Sequence, residues 1–318
     1  MISVIGAGAF GTALAVALSR DGDPVTLWAR DPDDVALMQD KRENGKRLAG
    51  VSLPASLHVT AQIEEAAQAQ TMLIAVPMQA LGDLLDTPAP FMGRTLVACS
   101  KGVDLRTGLG PADVIARKVP DALAAVLTGP SFAIDIASGL PTALTLACGD
   151  EPAGTEIQHD IATPNLRLYL STDVAGAQLG GALKNVMALA AGIAIGAGLG
   201  ESARASAITR GFAEMKRFAD IRGARPETLN GLSGLGDLIL TCTSEKSRNY
   251  RAGLALGRGE PVPGGTVEGV ATAHAVTRLA AEAGIEMPLT AMVDALLNGE
   301  TTLPRAVEGL LARPLIKE

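Results

Sequence analysis

Short apolar runs separated by turn residues dominate the first half of the chain. Ile2-Ser3-Val4-Ile5 is the first, and Pro24 to Arg30 the second, after a turn at Asp21-Gly22-Asp23. Thr71 to Pro77 reads as a third, buried strand that Pro77 ends sharply. Arg94 to Cys99 follows as a fourth and runs into Ser100-Lys101-Gly102. Ala124 to Thr128 leads into Gly129-Pro130-Ser131-Phe132-Ala133, and Thr142 to Cys148 and Leu166 to Leu170 complete the set. Helical periodicity between several of these runs predicts an α/β fold with a doubly wound sheet. From about Asp173 strand-like runs largely vanish. Gln178 to Ile195, Ser202 to Arg222, Val270 to Ala283 and Met292 to Leu297 all read as helix. A boundary at Ser171–Val174 therefore divides the chain into a sheet domain, residues 1–173, and an all-α domain, residues 174–318.

The length of 318 residues suits two domains. The apolar content is 47 % with only 3 % aromatic, which means an ample core of small side chains. A net charge of −7 and a pI near 5.1 exclude the basic face that a nucleic-acid partner or an anionic membrane would need. An anionic ligand must then be met by a few placed cations. Cys99, Cys148 and Cys242 are odd in number and unpatterned, which suits reduced, mostly buried thiols, and no metal spacing joins them to His58, His159 or His274. Met1 leads straight into the first strand with no basic leader, and the longest near-apolar stretch, Val186 to Gly200, is shorter than the ~20 residues of a membrane span. A cytoplasmic protein with no membrane span is expected.

The first apolar run is followed at once by Gly6-Ala7-Gly8-Ala9-Phe10-Gly11 and then by Thr12 to Leu18, a strand–glycine turn–helix order. In that context G-x-G-x-x-G signals a Rossmann-type dinucleotide site. Gly6 permits the tight turn, Gly8 lets backbone approach a pyrophosphate, and Gly11 lets helix pack closely on strand. The helix start then offers unpaired N–H groups to the phosphates. At the end of the second run, where such folds meet the adenosine ribose, stands Arg30, whose guanidinium suits the 2′-phosphate of NADP. Asp31 follows directly, and a shift of one residue would favour NAD instead; Arg30 as a solvated strand end is the plainer alternative.

Three segments of the second half carry chemistry. Lys184 is a lone cation in Gln178-Leu-Gly-Gly-Ala-Leu-Lys184-Asn185-Val, costly to bury unless paired or functional. The competing reading is a snorkelling lysine in the first turn of a helix. Asp237 follows three glycines in Asn230-Gly-Leu-Ser-Gly-Leu-Gly-Asp237 and reads either as a helix N-cap or as the partner of a cation. Ser247-Arg248-Asn249 sets a hydroxyl, a guanidinium and an amide in series, which makes either a phosphate clamp or a polar loop. Lys101 and the Gly129–Ala133 loop lie at strand ends, where ligands of such sheets bind.

Together with Ser100-Lys-Gly, Thr128-Gly-Pro-Ser-Phe-Ala, Ile208-Thr-Arg-Gly and Val267-Glu-Gly, these segments resemble the bacterial-type NAD(P)-dependent glycerol-3-phosphate dehydrogenases over nearly the whole chain. The resemblance implies reversible reduction of dihydroxyacetone phosphate to sn-glycerol 3-phosphate for phospholipid synthesis. NADP is the favoured cofactor and NAD the alternative, and a homodimer is expected. It implies that Lys184 is the general acid/base, with Lys101 and Asp237 in the same catalytic group and in contact with substrate. Gly129, Ser131, Ser247, Arg248 and Asn249 match substrate positions. Ala9, Phe10, Arg30, Lys101, Ala133, Arg248 and Glu268 match cofactor positions beside Gly6, Gly8 and Gly11. Ala9 and Phe10 depart from the Ser-aromatic pair of many members, which leaves backbone contacts there. A hydroxyacyl-CoA dehydrogenase would use a His–Glu pair, which no histidine context here suggests. A purely nucleotide-sensing module would lack Lys184 or Asp237.

Overall fold

In the computed structural model, residues 1–87, 91–262, 264 and 267–312 are described. One eight-stranded sheet runs in the order β3-β2-β1-β4-β5-β6-β7-β8. Its strands are β1 (Ile2–Ile5), β2 (Val25–Trp28), β3 (Leu57–Thr60), β4 (Thr71–Ile74), β5 (Thr95–Ala98), β6 (Leu123–Thr128), β7 (Thr142–Cys148) and β8 (Leu166–Ser171). All neighbouring pairs are parallel except β6–β7, which is antiparallel.

Burial on both faces explains the unbroken apolar runs. Val4 and Leu73 point into one core layer with Leu14 and Leu27, whereas Ile5, Met72 and Ile74 point into the opposite layer with Leu81 and Leu96. The fourfold-buried Thr71–Ile74 is the fourth strand in the chain, not the third. The strand overlooked is Leu57–Thr60, where His58 is exposed and the run is only four residues long at a sheet edge. The strands are also shorter than the apolar runs. Arg30, Val76 and Cys99 lie past their ends, and Pro77 precedes the helix Met78–Leu85.

Strand order reverses between β1 and β4, which opens a crevice beyond their carboxyl ends. Gly6 closes β1 there with φ +114°, and a Cβ on it would stand 2.9 Å from the Ala75 carbonyl oxygen at the end of β4. Only glycine satisfies both conditions.

After β8 the chain is helical. Asp173 accepts from the Gly176 N–H and starts the helix Val174–Gly196, four residues earlier than the apolar periodicity alone suggests. At 23 residues this helix is long and apolar enough to cross a membrane, contrary to the shorter stretch read from the sequence, yet it is almost entirely buried inside the molecule. It packs against Gly200–Asp220, Arg248–Gly257 and Glu268–Glu282. The crossing with Arg248–Gly257 is unusually close, because a Cβ on Gly192 would fall 2.2 Å from the Tyr250 carbonyl and one on Gly253 2.2 Å from the Leu189 carbonyl.

Gln178, one helical turn inside Val174–Gly196, ties that helix to the sheet half. Its Oε1 accepts from the Ala112 N–H at 3.2 Å and its Nε2 donates to Asp113 at 2.7 Å, at the start of the helix Pro111–Lys118. A π-helical turn, Leu232–Gly236, then feeds directly into the short helix Asp237–Cys242. Insertions of this kind re-aim side chains and concentrate at functional sites.

Candidate active site

At the glycine turn the helix Ala9–Ser19 begins with Gly8 as its cap and no side-chain capping bond. The first intrahelical bond is Thr12 N–H to the Gly8 carbonyl at 2.9 Å, so the N–H groups of Ala9, Phe10 and Gly11 have no partner among the described residues. Nothing lies within 4 Å of where a Cβ on Gly8 would stand. Three free donors, a positive dipole end and open space above Gly8 fit a pyrophosphate. A Cβ on Gly11 would sit 2.0 Å from the Gly6 carbonyl, which fixes the helix against the turn.

Two residues past β2, Arg30 is exposed and makes no hydrogen bond or ion pair among the described residues. Asp31 is committed elsewhere, since its carboxylate accepts from the Asp33 N–H at 3.0 Å and caps the helix Pro32–Lys41. The neighbouring acid is thus occupied with helix capping, while the Arg30 guanidinium stands exposed beside it.

A buried cluster of charged side chains joins three distant segments. Asp237, 1 % exposed, places Oδ2 2.6 Å from Lys101 Nζ and Oδ1 3.0 Å from Lys184 Nζ. Lys184 Nζ also donates to Thr241 Oγ1 at 2.6 Å, and Thr241 Oγ1 donates to Asp237 Oδ1 at 3.2 Å. Lys101 Nζ donates to the Gly129 carbonyl at 3.2 Å, as does Ser131 Oγ at 3.3 Å. The small residue Gly181 lets this happen: a Cβ there would stand 3.5 Å from Lys101 Cγ and 2.7 Å from Thr128 Oγ1.

Lys184 lies ten residues beyond Val174, so neither the snorkelling reading nor an argument from the helix N-terminus applies to it. Asp237 opens its helix without capping it, and its carboxylate is spent on the two ammonium groups. Burial pushes the Lys184 ammonium down, Asp237 pulls it back up, and Lys101 adds to the lowering; the net value is below that of ordinary lysine. Burial pushes the Asp237 carboxyl up, but Lys101 and Lys184 outweigh it and hold the group below the usual carboxylate range. Beneath the cluster, burial drives the Cys242 thiol up to about 12, leaving it a neutral packing group.

Ser247, Arg248 and Asn249 are not three side chains aimed in series. Ser247 Oγ caps the helix Arg248–Gly257 by accepting from the Tyr250 N–H at 3.2 Å. Asn249 is buried, donates to Asn185 Oδ1 at 2.9 Å and accepts from the Gly269 N–H at 2.9 Å, which locks the start of Glu268–Glu282 onto the central helix. Arg248 alone is exposed, with no hydrogen-bond partner among the described residues. Its charge and those of Lys101 and Lys184 bear on Glu268, whose carboxyl is nevertheless pushed up by burial. Ala133 opens the short helix after Ser131 and Phe132. Lys246 crosses from the Ser247 side to that helix, 3.0 Å from Asp135 and 5.4 Å from the Phe132 ring centre.

Along its length the chain matches the profile of the NAD-dependent glycerol-3-phosphate dehydrogenase N-terminus over residues 1–153 and that of the C-terminus over residues 173–308. The chain belongs to this family. A glycerol-3-phosphate dehydrogenase [NAD(P)+] of Cereibacter sphaeroides is 59 % identical, with 100 % of each chain covered. That of Paracoccus denitrificans is 58 % identical over 100 % of this chain and 99 % of its own. The crystal structure of the Coxiella burnetii glycerol-3-phosphate dehydrogenase superposes with a TM-score of 0.93 at 36 % identity, covering 98 % of both chains.

Within this dehydrogenase framework two site features escaped the sequence. Thr241 touches both Lys184 and Asp237, and Asn185 Nδ2 is buried beside Lys184 with no partner among the described residues. Thr241 was legible in principle, since it lies four residues after Asp237 and so one helical turn away. The orientation of Asn185 was not.

Proposed function

We propose that the protein interconverts dihydroxyacetone phosphate and sn-glycerol 3-phosphate with Lys184 as general acid/base. The observation carrying this reading is the buried Lys184–Asp237–Lys101 cluster, assembled across 53 and 136 residues of sequence beyond the carboxyl ends of β5 and β6. The glycine turn and Arg30 would hold NADPH, which when bound would supply the hydride that reduces the ketone carbon. Lys184 Nζ donates its proton to the carbonyl oxygen as the C=O becomes C–O–H, and is left as the neutral amine. In the reverse direction the amine takes that proton back. Asp237 holds Lys184 and Lys101 in place, and the Lys101 ammonium adds positive potential where the alkoxide charge develops. Thr241 Oγ1, beside Asp237 on the same helix, adds a second hydrogen bond that fixes the Lys184 rotamer. The lowered proton affinity of Lys184 brings its two protonation states closer together near neutral pH.

Arg248, with the N–H groups at the start of its helix, is the seat for the substrate phosphate. Ser247 and Asn249 shape that seat by fixing the helix start, and Gly129 and Ser131 form the facing wall. Residues 1–173 then serve the cofactor and 174–318 the substrate, with Lys101 bridging the two. The glycine turn holds the pyrophosphate, and Arg30 favours NADP over NAD.

The test is oxidation of NADPH and of NADH with dihydroxyacetone phosphate, with acetoacetyl-CoA, and with no substrate. Turnover is expected with the first alone. Lys184→Ala should lower kcat by about 10²–10⁴-fold while NADPH binding is retained. Wild-type turnover only with the acyl-CoA would overturn the substrate assignment, and an active Lys184→Ala enzyme would overturn the acid/base role.

A further inference from the structure

The glycine turn does not stand unaided. The segment after the helix Pro32–Lys41 returns across the sheet end and passes beneath it. Asn44, 5 % exposed, donates from Nδ2 to the Ala7 carbonyl at 2.9 Å and to Thr12 Oγ1 at 2.8 Å. Ala7 is the residue between the two glycines of the turn, and Thr12, fully buried, is in the first turn of the following helix. Both amide hydrogens of Asn44 are therefore used, one on each side of the N–H groups offered to the pyrophosphate. The Ala7 carbonyl can only accept, which fixes the orientation of the amide.

The segment that delivers Asn44 is itself built. Arg42 has φ +50°, the one non-glycine residue in the left-handed region among those described. It is held there by its guanidinium, which donates to the carbonyls of Leu53, Pro54 and Leu57. Glu43 Oε1 accepts from the Gly50 N–H at 2.8 Å, and the Asn44 carbonyl accepts from Arg47 and Leu48 N–H at 3.1 and 2.8 Å. Leu48, Val51 and Leu53 anchor the segment in the same core layer as Val35 and Met38. A strained residue retained by three carbonyls, and a buried amide spent wholly on a turn, are the features expected where backbone geometry has to be fixed in advance of ligand binding.

We propose that Asn44 is a positioning residue for the cofactor: it holds the Ala7–Gly11 backbone in the geometry that the pyrophosphate requires, without touching the cofactor. The inference rests on the glycine turn being the cofactor seat. Removal of the amide leaves the Ala7 carbonyl unpaired and free to turn, so that the adjoining N–H groups lose their common aim. Replacement by a carboxylate, equal in size, faces an acceptor with an acceptor and adds a negative charge beneath a diphosphate.

The measurement is NADPH binding by cofactor fluorescence for the wild type, Asn44→Ala and Asn44→Asp, together with kcat and the KM for dihydroxyacetone phosphate at saturating cofactor. Asn44→Ala should weaken NADPH binding about tenfold, a factor worth ~1.4 kcal/mol. Asn44→Asp should weaken it further, while kcat and the ketone KM stay within about twofold. If Asn44→Ala does not fold, Thr12→Val removes one of the two acceptors and should weaken NADPH binding about threefold. Folded variants with wild-type NADPH affinity overturn the proposal, as does a fall in kcat and both affinities together. A wild-type protein that binds no NADPH would instead overturn the cofactor seat on which the proposal rests.

Discussion

Asp237 Oδ1 stands 3.0 Å from Lys184 Nζ in a site closed to solvent, so the proton affinity of the lysine is set by its neighbours rather than by water. Burial lowers it, Asp237 raises it and Lys101 lowers it. These opposed influences can be separated by experiment.

In the proposed reaction ketone reduction uses protonated Lys184, so the reductive rate should fall as pH rises through a value below that of ordinary lysine. The oxidative rate should rise over the same range. Asp237→Asn removes the group that raises the Lys184 value, and the midpoint should move to lower pH. Lys101→Met removes a repelling charge, and the midpoint should move to higher pH. Profiles of kcat against pH for the three proteins check this, and midpoints that move in the same direction would disprove the coupling.

Arg248 is the cation at the proposed phosphate seat with no hydrogen-bond partner among the described residues. A hydrogen bond to a charged group contributes about 1.5–3 kcal/mol, so Arg248→Ala should raise the KM for dihydroxyacetone phosphate roughly 10- to 150-fold. Unchanged saturation behaviour would place the phosphate elsewhere.

Arg30 offers its guanidinium while Asp31 is occupied in capping. Arg30→Ala should raise the KM for NADPH about tenfold and leave that for NADH nearly unchanged, since only the former carries a 2′-phosphate. Equal effects on both cofactors would show that Arg30 does not read that group.

What the sequence disclosed follows from how local each signal is. The turn at Gly6–Gly11 is signalled by adjacent residues, and it folds as its spacing indicates. Lys184 and Asp237 were conspicuous as charges among small apolar residues, but their partnership is not local, and competing roles as snorkelling side chain or helix cap were removed only by the fold. The start of the long helix was placed late because Asp173 caps it through a glycine at 176, where apolar periodicity is silent. Ser247 and Asn249 illustrate the converse error. Residues that look like ligand-binding groups in a tripeptide are largely spent on fixing backbone, Ser247 as a cap and Asn249 between Asn185 and Gly269. Asn44 carried no legible signal at all, because its partners lie 37 and 32 residues away.

The glycine contact between the central helix and Arg248–Gly257 gives the site a molecular ruler. One helix carries Lys184, the proposed proton donor, and the other begins at the proposed phosphate seat, so in that reading their separation sets how many carbons fit between a ketone and its phosphate. That separation is fixed by backbone resting on backbone, at Gly192 against Tyr250 and Gly253 against Leu189. No side chain intervenes that could be exchanged for a slightly larger or smaller one. In the proposed reading, substrate length is thereby held constant by a glycine contact rather than by a side chain that lines the site.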